Sequence, residues 1–136
     1  MNQNLSRFVV DAHVMIWYLT GSLRQRMSSR ADQAFQAIEA GEAIGLVPII
    51  VLAEIMHAAE RKRIPINFTE TVGRLSHDLN FRIVPFDFPV LLEAASITQL
   101  AELHDRIIVA TARSYKASLI TADRAIQRSG AVAYVW

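Results

Sequence analysis

Short apolar runs that alternate with longer amphipathic stretches are the feature that most constrains the fold of this chain. They lie at residues 8–11, 44–47, 82–85, 119–121 and 132–135. Runs of this length that are rich in Val, Ile and Leu predict strands, and their low polar content predicts burial on both faces of the sheet. The alternation with helical segments therefore predicts an α/β domain with a mainly parallel sheet.

The stretches between these runs carry apolar residues at helical spacing. They predict helices at about residues 13–19, from Ser28-Ser29 to a Gly41 cap, 48–62 with Pro48 in its first turn, from an Asn67 or Thr69 cap to Leu79, 89–100, 105–117 and 123–127. The helix at 105–117 is nearly all apolar and small, so we expect it to be deeply packed. Because no low-complexity tract or Gly/Ser linker interrupts the pattern, we expect a single domain over residues 1–136.

Bulk composition excludes several classes of protein. Of the 136 residues 52% are hydrophobic and 20% are charged, which is typical of a globular domain and not of a disordered chain. No apolar stretch approaches the roughly 18 residues that a membrane helix needs, and residues 1–7 lack a signal-peptide pattern. The absence of cysteine excludes disulfides and thiolate metal ligands and is compatible with a cytoplasmic setting. The net charge of +1 gives no strong overall attraction to nucleic acid.

Four carboxylates stand beside apolar runs, where a charge is costly unless something compensates it. Asp11 ends the first run and Asp123 lies just past the fourth. Glu54 lies about two turns into the helix after the second strand, and Asp105 begins the most apolar helix. Ligands of open parallel sheets bind outside the carboxyl ends of the strands, so we expect these acids to meet there.

Four like charges at close range cannot all stay ionised without a cation. Carboxylate oxygens without cysteine favour Mg²⁺ or Mn²⁺, which indicates chemistry on phosphates. Each acid also has a simpler interpretation: Asp105 and Asp123 as helix N-caps, Asp11 as a turn residue, and Glu54 as a solvent-facing side chain. The joint placement of the four favours the metal site.

Other polar residues have two interpretations each. His13 and His104 adjoin two of the acids and either contact substrate or simply begin helices. Thr121 either offers its hydroxyl to a metal-bound water or is an ordinary strand residue. The dense basic run Arg61-Lys62-Arg63 is either a solvated helix end or an RNA contact.

Four motifs carry a resemblance to a known family. They are Val9-Val10-Asp11-Ala12-His13, Leu52-Ala53-Glu54-Ile55, the stretch from His104 to Ala112, and Leu119-Ile120-Thr121-Ala122-Asp123. In order and spacing the chain resembles the PIN-domain nucleases, most closely the VapC-like toxins of type II toxin–antitoxin pairs. The string from His104 to Ala112 is the most specific of the four, and together the motifs span nearly the whole chain.

The resemblance implies a three-layer α/β/α sandwich around a mainly parallel sheet. It implies that Asp11, Glu54, Asp105 and Asp123 form a metal-binding quartet, with Thr121 as an accessory hydroxyl. It also implies a Mg²⁺- or Mn²⁺-dependent ribonuclease that forms a homodimer and is silenced by a cognate antitoxin. Two departures stand out: Pro48 and Val51 occupy places where relatives often carry hydroxyls, and residues 101–104 form a compact segment where relatives have a longer loop.

The resulting hypothesis is metal-assisted hydrolysis of RNA phosphodiester bonds, with the quartet as catalytic residues and Arg106 and His13 as substrate contacts. One alternative is another phosphate-handling α/β enzyme such as a phosphatase. The Asp-x-Asp that would favour it is absent, because the chain reads Asp11-Ala12-His13. The other alternative is a non-catalytic PIN-like module that binds a metal or a partner.

Overall fold

A computed structural model of the protein describes residues 5–136, and these form one five-stranded sheet. The strands are β1 (Ser6–Val10), β2 (Ala43–Pro48), β3 (Phe81–Val84), β4 (Ser118–Ile120) and β5 (Tyr134–Val135). Their spatial order is β3-β2-β1-β4-β5, and every neighbouring pair is parallel. The predicted parallel sheet is confirmed.

Helices cover the sheet and complete the α/β/α sandwich that the resemblance implies. They are α1 (Ala12–Thr20), α2 (Ser29–Glu39), α3 (Ile49–Glu60), α4 (Phe68–His77), α5 (Phe88–Ala95), α6 (Leu103–Ser114) and α7 (Arg124–Ser129). A short 3-10 turn at Arg24–Arg26 links α1 and α2. No helix within residues 5–136 is long and apolar enough to cross a membrane.

The strand order of the sheet reverses next to β1. The chain proceeds from β1 to β2 and β3 on one side and then returns to place β4 and β5 on the other. Val10 of β1 pairs with Ile120 of β4, so Asp11 and Thr121 follow these strands at the same edge. The Asp11 amide donates to the Ile120 carbonyl at 3.1 Å. Switch points of this kind form the binding crevice of open α/β sheets.

The hydrophobic core lies on both faces of the sheet. Val9 and Val10 of β1 and Leu119 and Ile120 of β4 are fully buried. Six consecutive residues of α6, from Ile107 to Ala112, are also buried, which confirms the expectation of deep packing for this helix. Such close packing restricts the orientation of the residues that begin the helix, Asp105 among them.

Several element bounds differ from the sequence-based predictions. The predicted helix 89–100 ends at Ala95, where the Ser96 hydroxyl donates to the Glu93 carbonyl at 2.7 Å. Pro48 ends β2 and caps α3 with an extended backbone, so it does not lie in the first turn of that helix. Of the two cap candidates for α4, Asn67 is the cap. The last strand contains only Tyr134–Val135.

Candidate active site

Asp11 is held rigidly at the end of β1. It is the N-cap of α1, and its Oδ1 accepts the Ala12 amide at 2.8 Å. Its Oδ2 accepts the Thr121 hydroxyl at 2.6 Å. The residue is only 7% exposed, and this burial raises the pKa of the carboxyl, while the Thr121 hydrogen bond opposes the rise.

Thr121 connects two of the four acids. Its hydroxyl is fully buried, donates to Asp11 and accepts the Asp123 amide at 3.0 Å. Asp123 in turn caps α7, because its Oδ1 accepts the Ile126 amide at 3.1 Å. The N-cap interpretation of Asp123 is therefore confirmed. Its Oδ2 accepts no hydrogen bond from residues 5–136, so capping still leaves one oxygen for a ligand.

Asp105 lies in the first turn of α6 but does not cap it. The cap is Glu102, whose Oε2 accepts the Asp105 amide at 2.7 Å, so the N-cap interpretation of Asp105 is wrong. Desolvation raises the pKa of Asp105 to about 7, and the charges of Asp123, Glu102, Asp11 and Glu54 add to this rise. These Coulomb contributions indicate that the acids lie near one another.

Glu54 enters the cluster from α3 and is half-buried. Its Oε1 is inaccessible to solvent and has no hydrogen-bond partner among residues 5–136. Burial raises the pKa of this carboxyl, and the charge of Asp11 adds to the rise. The imidazole of His104 faces this oxygen, but its Nδ1 lies 3.9 Å from Oε1, beyond hydrogen-bond range. A buried carboxylate oxygen without a hydrogen-bond partner lowers the stability of the folded state, and a bound ligand would supply the missing partner.

The chemistry of this donor set fits a hard divalent cation. All four predicted ligands offer carboxylate oxygens, Glu54 has an unpartnered oxygen, and the pKa of Asp105 is raised by desolvation and then by its like-charged neighbours. In the arrangement described for residues 5–136, no three Asp, Glu, His or Cys side chains are close enough to enclose one ion. The side chains fit a divalent ion in chemical type.

A cleft of about 390 Å³ opens beside the acids, between the start of α1 and α3. Glu54 lies in its wall and so belongs both to the cleft and to the acidic cluster. The remaining lining is apolar or carries nitrogen: Ala12, His13, Ile16, Ile50, Ala53, His57, Ala58, Arg63 and His104. The cleft thus has a largely apolar lining, with one carboxylate, that of Glu54, in its wall.

A family model described as "PIN domain" matches residues 8–131, which is nearly the whole chain. This chain belongs to the PIN-domain family. PIN domains are generally nucleases, and these nucleases generally use divalent metals. Among curated proteins none matches the chain.

Solved structures similar to this PIN domain come from several bacteria. One is the structure of VapBC2 from Rickettsia felis bound to a promoter DNA fragment. It is 12% identical over 94% of this chain and 96% of that chain, with a TM-score of 0.70. A toxin–antitoxin complex from Klebsiella pneumoniae is 25% identical over 85% of each chain, with a TM-score of 0.61. FitAcB from Neisseria gonorrhoeae is 21% identical over 93% and 95%, with a TM-score of 0.64.

The two expected substrate contacts of this PIN domain have different surroundings. His13 is exposed and lines the cleft, 6.5 Å from the Trp17 ring between centroids. The Arg106 guanidinium donates instead to the carbonyls of Ala94 and Ala95, at 2.9 and 3.4 Å. These contacts bind Arg106 to the end of α5, and they do not support its expected role as a phosphate contact.

Four residues around the PIN-domain site lie outside the predicted catalytic and substrate-binding set, although the sequence left a substrate contact open for His104 and an RNA contact open for Arg63. Glu102 adds a fifth acid to the electrostatics of the cluster, and His57, Arg63 and His104 line the cleft. Glutamate is not among the residues preferred at an N-cap, so the sequence carried no cap signal for Glu102. The spacing of His57, three residues after Glu54, places both on one face of α3.

Proposed function

We propose that this PIN domain is a divalent-metal-dependent endoribonuclease, and that it is the toxin of a VapBC-like toxin–antitoxin pair. The observation that supports the proposal is the rise in the pKa of Asp105 to about 7, which comes first from desolvation and then from the charges of Asp123, Glu102, Asp11 and Glu54. Membership of the PIN-domain family supports nuclease activity.

The residues divide the work in the proposed reaction. Asp11, Asp105 and Asp123 would hold Mg²⁺ or Mn²⁺, together with Glu54. The chemistry that such a cation supplies when bound is activation of water and neutralisation of phosphate charge. Thr121 orients Asp11 by donating to its Oδ2 at 2.6 Å, so this carboxylate keeps one position. Glu54, with a raised pKa and an unpartnered oxygen, is suited to accept the proton of the attacking water.

The toxin assignment rests on the structural neighbours. Two of them are described as a VapBC complex and as a toxin–antitoxin complex. By analogy we propose a cognate antitoxin as the protein partner of this chain. Looking for a short neighbouring reading frame that encodes a DNA-binding protein, and co-expressing the two, would test this partner. Failure of any such neighbour to bind the chain or to suppress its activity would contradict the toxin role.

A homodimer is part of the same proposal. Phe88, Leu91 and Leu92 share one face of α5 and are 67%, 47% and 56% exposed, so this helix presents an apolar face to solvent. A second copy would cover this face. Light scattering should give a dimer for the wild type and a monomer for Leu92→Glu. Leu79→Glu is the control, because Leu79 is 94% exposed on a different element; equal dissociation in both variants would contradict the assignment.

Cleavage of single-stranded RNA by purified protein tests the activity. The wild type should cleave with Mg²⁺ or Mn²⁺ and stop in EDTA. Asp11→Asn should lower kcat about 10³-fold or more, because it removes a charge worth about 4 kcal/mol in the transition state. Asp87→Asn is the matched control, since Asp87 also caps a helix and asparagine caps equally well. Cleavage by Asp11→Asn at the wild-type rate would refute the proposal.

A further inference from the structure

The cleft beside the acids has the size and lining of a site for one nucleotide. Its volume of about 390 Å³ lies within the range of about 300–1,000 Å³ that small-ligand sites occupy. Ile16, Ile50 and Ala53 give it an apolar surface, and the imidazoles of His13, His57 and His104 lie around it. Proteins that read single-stranded RNA take unstacked bases onto aromatic rings of this kind, histidine included.

Arg63 supplies the cationic group of the cleft. Within residues 5–136 its guanidinium forms no hydrogen bond or ion pair, unlike Arg24, Arg74 and Arg113, which pair with carboxylates. An arginine fork without an internal partner at the rim of an apolar cleft is suited to bidentate contact with a phosphate. Phosphate binding at the carboxylate end of the cleft would need a cation to offset the like charge, whereas Arg63 can bind a phosphate directly.

The turn that places Arg63 is built by the backbone. The Lys62 amide donates to Ala59 and the Arg63 amide donates to Ala58, both at 3.0 Å, which is the Schellman pattern at the end of a helix. Lys62 has a φ of 53°, in the left-handed region where glycine is usual, so the chain folds back toward α3 at a cost in free energy. The basic run therefore ends α3 and also places its third residue, Arg63, in the lining of the cleft.

We infer that this cleft binds one unstacked nucleotide of single-stranded RNA, with its base on the apolar and imidazole surface and its phosphate on Arg63. The inference rests on the proposed function for its choice of RNA. It assigns Arg63 and the cleft a role in substrate specificity, which is separate from the chemistry of the four carboxylates.

Anisotropy of a labelled single-stranded pentaribonucleotide in Mg²⁺ buffer tests the inference. The protein is the full chain with Asp11→Asn, so that binding is measured without cleavage. Adding Arg63→Ala should weaken binding about 10-fold or more, because a charge-assisted contact is lost. Arg61→Ala and Lys62→Gly are the matched controls, since each removes one charge from the same basic run and Lys62→Gly suits the left-handed turn. Each should change the Kd less than about three-fold.

The base contact is tested by filling the cleft. Ala53 is exposed on α3 and lines the cleft, so Ala53→Trp should be accommodated by the fold while it excludes the base. Binding of the intact pentanucleotide should fall about 10-fold, in line with the loss of one stacked base, and binding of a fully abasic analogue should stay unchanged. Thermal melting of each variant, monitored by circular dichroism, checks that it remains folded.

Three outcomes would overturn the inference. Equal losses for Arg61→Ala and Arg63→Ala would show diffuse electrostatics, and equal affinity for intact and abasic strands would show that no base is bound. Binding of an antitoxin that Ala53→Trp abolishes, with RNA binding intact, would assign the cleft to a protein. The inference and the proposed function fail separately. If Arg63→Ala and Ala53→Trp weaken RNA binding as expected but the wild type never cleaves RNA, the proposed nuclease activity is contradicted. If the wild type cleaves RNA but these variants do not weaken binding, the nucleotide site is contradicted.

Discussion

The acidic cluster has two halves, Asp11 with Asp123 and Glu54 with Asp105, and they differ in how many of their carboxylate oxygens accept hydrogen bonds from the protein. Both oxygens of Asp11 accept hydrogen bonds, from Ala12 and Thr121, and Asp123 is bound to the same threonine through its amide. On the other side, Glu54 has a buried oxygen without a partner among residues 5–136, and the pKa of Asp105 is raised to about 7. Within residues 5–136 the carboxylate of Asp11 is satisfied by the protein and that of Asp123 is satisfied through one oxygen, whereas the carboxylates of Glu54 and Asp105 accept no hydrogen bond.

This difference separates the residues that the fold holds in position from the residues whose charge is left for a ligand to compensate. The β1 and β4 side is positioned by the hydrogen-bond network of Thr121, which is formed by protein groups alone. The α3 and α6 side keeps charge that the protein does not compensate, and a cation or substrate is what would compensate it. Variants on the two sides should therefore change stability in opposite directions.

The largest expected effect is on the satisfied half. Thr121→Val removes the donor to Asp11 and the acceptor for the Asp123 amide, leaving two poorly solvated groups without partners. The free energy of unfolding should fall by about 2–4 kcal/mol in urea denaturation. Thr121→Ser keeps the hydroxyl and should lose much less. Equal losses for the two variants would mean that the methyl group, and not the hydrogen bonds, matters at this position.

An intermediate effect is expected from the pH dependence of Asp105. Because folding raises the pKa of this carboxyl from 3.8 to about 7, the folded state holds its proton more tightly. Its contribution to stability is present below pH 4 and is lost as the pH rises to about 7. Between these limits the Tm of wild type should fall about 2–4 °C relative to Asp105→Asn, after allowance for solvent screening. Parallel Tm profiles for the two proteins would contradict the raised pKa.

The smallest effect, and one of opposite sign to Thr121→Val, is expected at Glu54. Glu54→Gln removes a charge that burial disfavours and whose Oε1 has no partner among residues 5–136, so the free energy of unfolding at pH 8 should rise by up to about 1 kcal/mol. Glu60→Gln, an exposed residue at the end of the same helix, should change nothing measurable. A clear loss of stability in Glu54→Gln would mean that this carboxylate is compensated after all.

The strands and the four acids were predictable because their signals are local. Apolar runs of strand length identified β1, β2 and β4, and an acid at or near the end of a run needs only the direction of the strand to be placed. The bounds were less predictable. The start of α6 depends on which residue caps it, and the extended backbone at Glu102, three residues before the expected start, decides that.

The cleft was not predictable because it depends on packing between distant segments. His57 and Arg63 lie on α3 and the turn after it, and they share a wall with His13 and His104 only once α1 and α6 pack against α3. The surroundings of Arg106 were not predictable for the same reason. It follows Asp105 along the chain, but its guanidinium donates to carbonyls at the end of α5, so these contacts give no support to its expected role as a phosphate contact.

Mn²⁺ binding measured by calorimetry and electron paramagnetic resonance tests the central claim most directly. The account predicts saturable binding at pH 8 to the wild type, which Asp11→Asn, Glu54→Gln and Asp105→Asn each weaken at least about 10-fold and Glu60→Gln leaves intact. Binding should also weaken at pH 5, where the Asp105 carboxyl is largely protonated. Absence of saturable binding, or equal affinity in all of these proteins, would contradict a divalent-cation site built from these carboxylates.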